Sequence, residues 1–266
     1  MKSGLIVYLD KDADKNFWFI KRCIDELSEK GITLTYCEEN EVFDHISRNK
    51  VDFVIYRSRN YRTVEKLQSM GIRCFNSSLV NRVANNKYLS YQFFTSQNIP
   101  CLKSYLSYDR LKYPFVMKSV DGHGGQEVFL INSEEEVKQH QLKNKSYIFQ
   151  KYYKNEGDLR VYLLNRKVIG AVLRKNSKDF RSNYSLGGEI EAYEPDKGVV
   201  TQATKIATLL DADYIGVDFL KVNGEWIVNE IEDPVGARML FKACEVDAAS
   251  LLANYIFCTP MGKSKF

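Results

Sequence analysis

No stretch of this 266-residue chain approaches the roughly 20 consecutive apolar residues that a membrane-spanning helix requires. Charge of one sign is also scarce in excess: 38 Lys and Arg stand against 34 Asp and Glu, a net of +4. A protein that holds polymeric nucleic acid carries a stronger basic footprint than that. Local basic clusters remain free to hold phosphates. The six cysteines (Cys23, Cys37, Cys74, Cys101, Cys244 and Cys258) include no CxxC pair and no neighbouring histidine. They read as the reduced thiols of a cytoplasmic protein. The opening MKSGLIVYLDKDADKN lacks the long apolar region and small-residue cleavage site of a signal peptide and reads as a first β-strand. No GxGxxG follows that strand, so the dinucleotide fingerprint is missing. No Ser-His-Asp or Cys-His arrangement, internal repeat or low-complexity segment is present.

What the chain does have is an ordinary folded composition, 44% hydrophobic and 27% charged, with length enough for two or three lobes. Its first ~80 residues alternate strand and helix patterns, the signature of an α/β layer. Apolar runs at 5–9, 32–36, 53–56 and 72–75 read as strands. Phe17, Ile20, Ile24 and Leu27 recur at helical spacing, and Gly31 is placed to end that helix. One helix is expected over Leu79 to Gln97, stopped by Asn98-Ile99-Pro100. Strands with glycine-rich turns follow: 114–118, 147–150, 159–164, 168–173, 214–221 and 225–231. Helices are expected from Ser133 and over Lys197 to Leu210. Asn223-Gly224 between two apolar runs is a strong hairpin signal. Residues 260–266 read as a tail.

Three features carry chemistry. The strand ending in Lys118 runs into Gly122, His123, Gly124 and Gly125, a turn where backbone amides can approach a polyphosphate beside a fixed cation. Asp218 lies in one strand of the Asn-Gly hairpin, and Glu230 and Glu232 lie two apart in the other, so all three carboxylates share a face. Partly buried and unpaired they would repel. A hard divalent cation such as magnesium resolves this, and pairing with Lys or Arg is the alternative. Between these two features lies the basic run Arg174, Lys175, Lys178 and Arg181, with Asn183 and Gly187-Gly188, which composition alone assigns to a solvated loop.

These features, in this order, resemble the ATP-grasp superfamily and within it the RimK-type carboxylate–amine ligases, over about residues 87–256. Asn86-Lys87 with Gln97-Asn98-Ile99-Pro100 resembles the family's helix that begins with an ATP-contacting Lys, and 114–128 its phosphate segment. Gln150, Lys151 and Tyr152 fall at the adenine-contacting hinge, and Asp158-Leu159-Arg160 resembles the family's "DIR". Phe180-Arg181-Ser182-Asn183 with Gly187-Gly188 resembles "FRSN…GG", and Gly216-Val217-Asp218 with Asn229-Glu230-Ile231-Glu232 the metal-binding "GVD…xExN". Two departures stand out. Glu232 replaces the usual Asn ligand, and the "NxxPG" loop that lies near the family's acceptor becomes Glu232-Asp233-Pro234-Val235-Gly236.

The resemblance implies an α/β protein of ATP-grasp fold. A Rossmann-like N-terminal domain would occupy 1–80 and the ATP-grasp domain 81–258, with its phosphate lobe about 103–149 and its metal-binding lobe about 150–258. It implies ATP and magnesium or manganese as cofactors. Lys87 and Lys118 would hold phosphates, Asp218, Glu230 and Glu232 the metal, and Arg174, Arg181 and Asn183 the phosphoryl group. The implied reaction joins a small-molecule or peptide carboxylate to an amine through an acyl-phosphate, adding an amino acid such as glutamate to an acceptor. A kinase of the same fold and a non-catalytic ATP-binding module are the rivals. The 17 Tyr and 15 Phe leave room for a homo-oligomer interface.

Overall fold

A computed structural model of the chain describes residues 2–141, 144–154, 157–175 and 189–260. The chain opens with β1 (Ser3–Tyr8), α1 (Asp10–Ala13), α2 (Phe17–Glu29), β2 (Thr33–Glu38), α3 (Val42–Arg48), β3 (Phe53–Tyr56), α4 (Tyr61–Ser69) and β4 (Arg73–Phe75). The four strands pair in parallel in the order β2-β1-β3-β4. Apolar residues fill both faces of β1 and β3, as a sheet covered on both sides by helices requires. Gly31 closes α2 with φ +71°.

The single helix expected over 79–97 is two helices, α5 (Ser78–Ala84) and α6 (Lys87–Ser96). The break has a local cause. The Asn86 side chain accepts hydrogen bonds from the Tyr88 and Leu89 amides (3.1 and 2.9 Å), capping a new helix that starts at Lys87. Helical periodicity continued across the break and hid it.

A second sheet contains β5 (Ser104–Tyr105), β6 (Phe115–Ser119), β7 (Val128–Ile131) and β8 (Tyr147–Lys151), with α7 (Glu134–His140) packed on it. Its order is β5-β8-β6-β7, all antiparallel. Phe115 and Met117 point to a small core with Val137, Tyr147 and Phe149. Val116 and Lys118, one residue out of phase, therefore point to the opposite face.

The third sheet is built from β9 (Asp158–Leu164), β10 (Lys167–Lys175), β11 (Glu189–Ala192), β12 (Tyr214–Val222) and β13 (Glu225–Glu232), in the order β11-β10-β9-β12-β13. The β9–β10 and β12–β13 hairpins turn on left-handed residues, Asn165-Arg166 (φ +47° and +62°) and Asn223-Gly224 (+51° and +84°). On one face Val161, Leu163, Val217 and Phe219 pack with α8 (Lys197–Leu209). Each such large side chain, fully buried, contributes about 1.5–3 kcal/mol. On the other face Tyr162, Leu164 and Tyr214 join the core of the first sheet, together with α9 (Arg238–Cys244) and α10 (Ala248–Cys258). That anchoring fixes the third sheet against the N-terminal lobe. Among the described residues no helix is long and apolar enough to cross a membrane.

Candidate active site

The face of the third sheet that packs on the N-terminal lobe turns from apolar to charged along its strands. Strand register makes the change. Arg160 lies opposite Asp218, and Asp218 opposite Glu230, across three adjacent strands. Arg174 lies opposite Asp158 in the next row, and Gly216 opposite Glu232 in the row on the other side. Period-two alternation thus stacks four carboxylates and two guanidinium groups on one surface.

Arg160 grips Asp218 with both arms: Nε donates to Oδ1 and Nη2 to Oδ2, each at 2.7 Å, while Nη2 also donates to Glu232 Oε1 at 2.5 Å. Arg174 donates through Nε to Asp158 Oδ1 at 2.8 Å and through Nη2 to Asp218 Oδ2 at 2.7 Å. All four of Asp158, Arg160, Arg174 and Asp218 are buried. Burial works to raise the Asp218 carboxyl, yet the two guanidiniums outweigh it and hold it at about 2. Burial wins at Glu232, where Asp218 and Glu230 add to it, and the net shift is upward. The repulsion that the sequence predicts is therefore met, in this structure, by arginine.

A hollow lies between this face and the second sheet. Lys118 and Gln150 line it from that sheet, Asp158, Arg174, Glu230 and Glu232 from the third, and Lys87 from the start of α6. Lys118 Nζ donates to Asn229 Oδ1 at 3.0 Å, and burial lowers its pKa against the pull of Glu230. Lys87 Nζ lies 3.3 Å from Glu230 Oε2 and donates to the carbonyl of Gly122. Burial would raise Glu230, but Lys87 and Lys118 bring it down. Gly124 and Gly125 are consecutive left-handed residues (φ +65° and +74°) in the loop that lines the hollow beside Gly122 and His123. Side chains are strained there, so the Gly-Gly pair is a requirement of this backbone. Burial lowers the pKa of His123, and nearby Arg59 adds to the effect. Gln150 donates through Nε2 to Ser104 Oγ at 2.9 Å. Lys151 and Tyr152 also line the hollow, with Lys151 Nζ 5.1 Å from the ring of Tyr153.

One side-chain oxygen from each of Asp218, Glu230 and Glu232 lies within 4.8 Å of the others. Hard oxygen donors at that spacing fit magnesium. Asp218 receives three N–H bonds and a carboxylate has about four acceptor sites. Capacity for a cation therefore remains there, and more remains on Glu230. Arg160 differs from its expected place, because it lies beneath the carboxylates and does not line the hollow. Lys178, Arg181, Asn183 and Gly187-Gly188 lie outside the described residues.

Several site residues escape sequence reasoning. Asn229 would face away from Glu230 in a regular strand, but the ladder shifts register there (Asp218 opposite Glu230, Phe219 opposite Val228), and its amide oxygen meets Lys118. Arg59 and Asn85 line the hollow from the N-terminal lobe and its exit helix. Asp233, next to Glu232, is gripped from that side. Asn76 and Asn81 each donate to its carboxylate at 2.9 Å, and Asn85 to its carbonyl at 2.8 Å. Arg57, held among the rings of Tyr8, Phe19 and Tyr214, donates to the Val235 carbonyl at 2.6 Å. A polar residue buried just after a strand end gives no sequence signal of such a contact.

Residues 84–256 match the family model of the RimK-like ATP-grasp domain. The uncharacterized protein MG011 homolog of Mycoplasma pneumoniae is 31% identical over 251 residues, 91% of this chain and 88% of that protein. Beta-citrylglutamate synthase B of Mus musculus is 30% identical over 211 residues, 71% of this chain and 54% of the synthase. The chain therefore spans about half the length of that enzyme. The structure of D-alanine–D-alanine ligase from Bacillus anthracis complexed with ATP matches with a TM-score of 0.77 across 97% of this chain and 98% of that one. Its 16% identity speaks for the fold alone. With the family model spanning both sheets that enclose the hollow, the chain belongs to the RimK-like ATP-grasp family, whose ligases use ATP with magnesium.

Proposed function

We propose that this chain forms an amide bond between a carboxylate and an amine by way of an acyl-phosphate, releasing ADP and phosphate. The observation that carries the reading is the composition of the hollow. Lys87, Lys118 and Arg174 face Glu230, Glu232 and Asp158, and no Ser, Thr or Cys is among its described lining residues. Such a site stabilises moving charge and holds reactants in line, without a Ser, Thr or Cys nucleophile to acylate among those residues.

Lys87 and Lys118 hold the phosphates in this reading, with the Gly122–Gly125 loop closing over them. Asp218, Glu230 and Glu232 would hold magnesium or manganese, which supplies Lewis-acid neutralisation of the phosphate oxygens. Arg160 and Arg174 keep Asp218 ionised and fixed in orientation. Arg181 and Asn183 are proposed, from the resemblance alone, to steady the transferred phosphoryl. An oxygen of the acid attacks the γ-phosphorus, the bond to the β,γ-bridging oxygen breaks, and ADP leaves. The amine then attacks the acyl carbon, phosphate departs, and the amine proton passes to solvent. An amino acid such as glutamate suits either substrate role.

Hydroxylamine in place of the amine tests this step. With ATP, magnesium and an accepted acid, the expected product is a hydroxamate, and an oxygen-18 label in the acid should appear in the released phosphate. A stable phosphorylated acid with no hydroxamate would make the protein a kinase instead.

A further inference from the structure

Strand β13 changes phase in its middle, and the change brings to the hollow a side chain that a regular strand would turn away. Val228 and Ile231, three residues apart, are both buried in the core shared with α8. Strict alternation would put residues three apart on opposite faces. The extra residue that reconciles them is Asn229. Asp218 lies opposite Glu230 and Phe219 opposite Val228, so Asn229 has no opposite residue on β12. In consequence Asn229 and Glu230, consecutive in sequence, both line the hollow. The bulge is also held from its other edge. The Val228 amide donates to the Pro100 carbonyl at 3.3 Å, and the Val228 carbonyl accepts from the Leu102 amide at 3.2 Å, in the segment that leads from α6 to the second sheet.

The two lysines of the hollow are held in different ways. Lys87 lies 3.3 Å from Glu230 Oε2, a carboxylate of the metal site. Lys118 is buried, yet it makes no salt bridge among the described residues, and its one hydrogen bond among them is the 3.0 Å contact to Asn229 Oδ1. A neutral amide oxygen fixes the direction of an ammonium without cancelling its charge, and an ammonium has further donors to give. A carboxylate at the same place would form an ion pair with Lys118 and compete with an incoming phosphate.

We propose that Asn229 is a positioning residue that holds Lys118 as a metal-independent anchor for the triphosphate, while Lys87 is released to the nucleotide only when a divalent ion takes Glu230. The inference rests on the reading that both lysines meet the phosphates. Affinity for nucleotide without metal then depends on Lys118 and on the amide that aims it. The gain in affinity that metal brings depends on Lys87. The bulge in β13 is what allows one short segment to serve both, with Asn229 on one lysine and Glu230 on the other.

Titration calorimetry with a non-hydrolysable ATP analogue, in EDTA and in magnesium, tests the proposal. The proteins are wild type, Asn229→Ala, Asn229→Asp, Lys118→Met, Lys87→Met and the Asn229→Ala/Lys118→Met pair, with circular dichroism and Tm to establish folding. In EDTA, Asn229→Ala should weaken binding roughly tenfold or more, the size of a hydrogen bond to a charged group. Asn229→Asp has the wild-type shape and should weaken binding further, whereas a merely structural role would leave it near wild type. In the Lys118→Met background Asn229→Ala should add less than about a twofold loss, because the amide then has no cation to hold. Lys118→Met should lose more affinity in EDTA than Lys87→Met does. Binding of Mn2+ alone, read by electron paramagnetic resonance, should be tighter in Lys87→Met than in wild type, since Glu230 is freed. Should Lys118→Met fail to fold, the comparison of Asn229→Asp with wild type decides. Four results would each overturn the proposal: Asn229→Asp equal to wild type in EDTA, additive losses in the double variant, Mn2+ binding unchanged in Lys87→Met, or wild type that binds no nucleotide until magnesium is added. Failure of the underlying reading has a separate signature, Lys118→Met and Lys87→Met that both bind the analogue as wild type does in EDTA and in magnesium.

Discussion

Asp218 accepts from both arginines at once, which makes its surroundings a test of how buried charge is kept in this site. Taking one partner out of a buried ion network leaves the other charge desolvated and unpaired, at a cost of about 3–5 kcal/mol. Arg174→Met should therefore lower Tm by roughly 10 °C. Arg174→Lys, which keeps the charge and loses the fork, should recover part of it. Equal Tm values for wild type and Arg174→Met would mean that Arg160 alone balances the acids. Asp213 offers a test by pH. Burial raises its carboxyl from an ordinary 3.8 to about 6, against Arg73 and Tyr255, and its Oδ2 has no hydrogen-bond partner. The folded state thus holds this proton more tightly than the unfolded state. The group's contribution to stability is full below about pH 3.8 and is lost as pH rises through about 6. Whatever its offset, the Tm of Asp213→Asn minus that of wild type should rise between about pH 4 and pH 7. A flat or falling difference would contradict the upward shift.

At the scale of elements, local signals were legible where local forces decide. Asn223-Gly224 specifies its hairpin because its left-handed residues match the strand twist, and the Ser133 and Gly31 helix boundaries follow from capping. The same hairpin places Asp218, Glu230 and Glu232 together, as their spacing implies. The register shift at Asn229 was not legible, because a bulge depends on the partner strand as well as its own sequence. Nor was the break at Asn85-Asn86, where capping overrides a continuous apolar period. Gly216 shows how tightly β12 meets the loop after β13. A Cβ there would lie 2.8 Å from Val235 Cγ2 and 3.3 Å from Glu232 Cβ. Gly216→Ala should cost about 1–3 kcal/mol of stability by overpacking. It should also lower kcat more than it raises the KM for ATP, since it displaces Glu232. Unchanged kinetics in a folded Gly216→Ala protein would show that the loop yields freely.

Across the whole molecule, the N-terminal lobe does more than support the nucleotide hollow. Arg57, Asn76 and Asn81 precede the matched family region, yet they hold the segment that follows Glu232. Long-range contacts of this kind leave no trace in spacing or periodicity, which is why Asp233 was legible only as a departure from a motif. Asn81→Ala removes a donor from a buried carboxylate, worth about 1–3 kcal/mol. It should raise the magnesium concentration needed for half-maximal turnover along with lowering Tm. A lower Tm with the same magnesium dependence would make the grip structural only.

The central claim is that one charged hollow drives ligation, and the most direct measurement is ADP release with magnesium and ATP against paired acids and amines. Wild type should turn over only when both an acid and an amine are present, and Glu230→Gln should reduce the rate at least a hundredfold while leaving the protein folded. ADP release that needs no amine, or that survives in Glu230→Gln, would contradict the account.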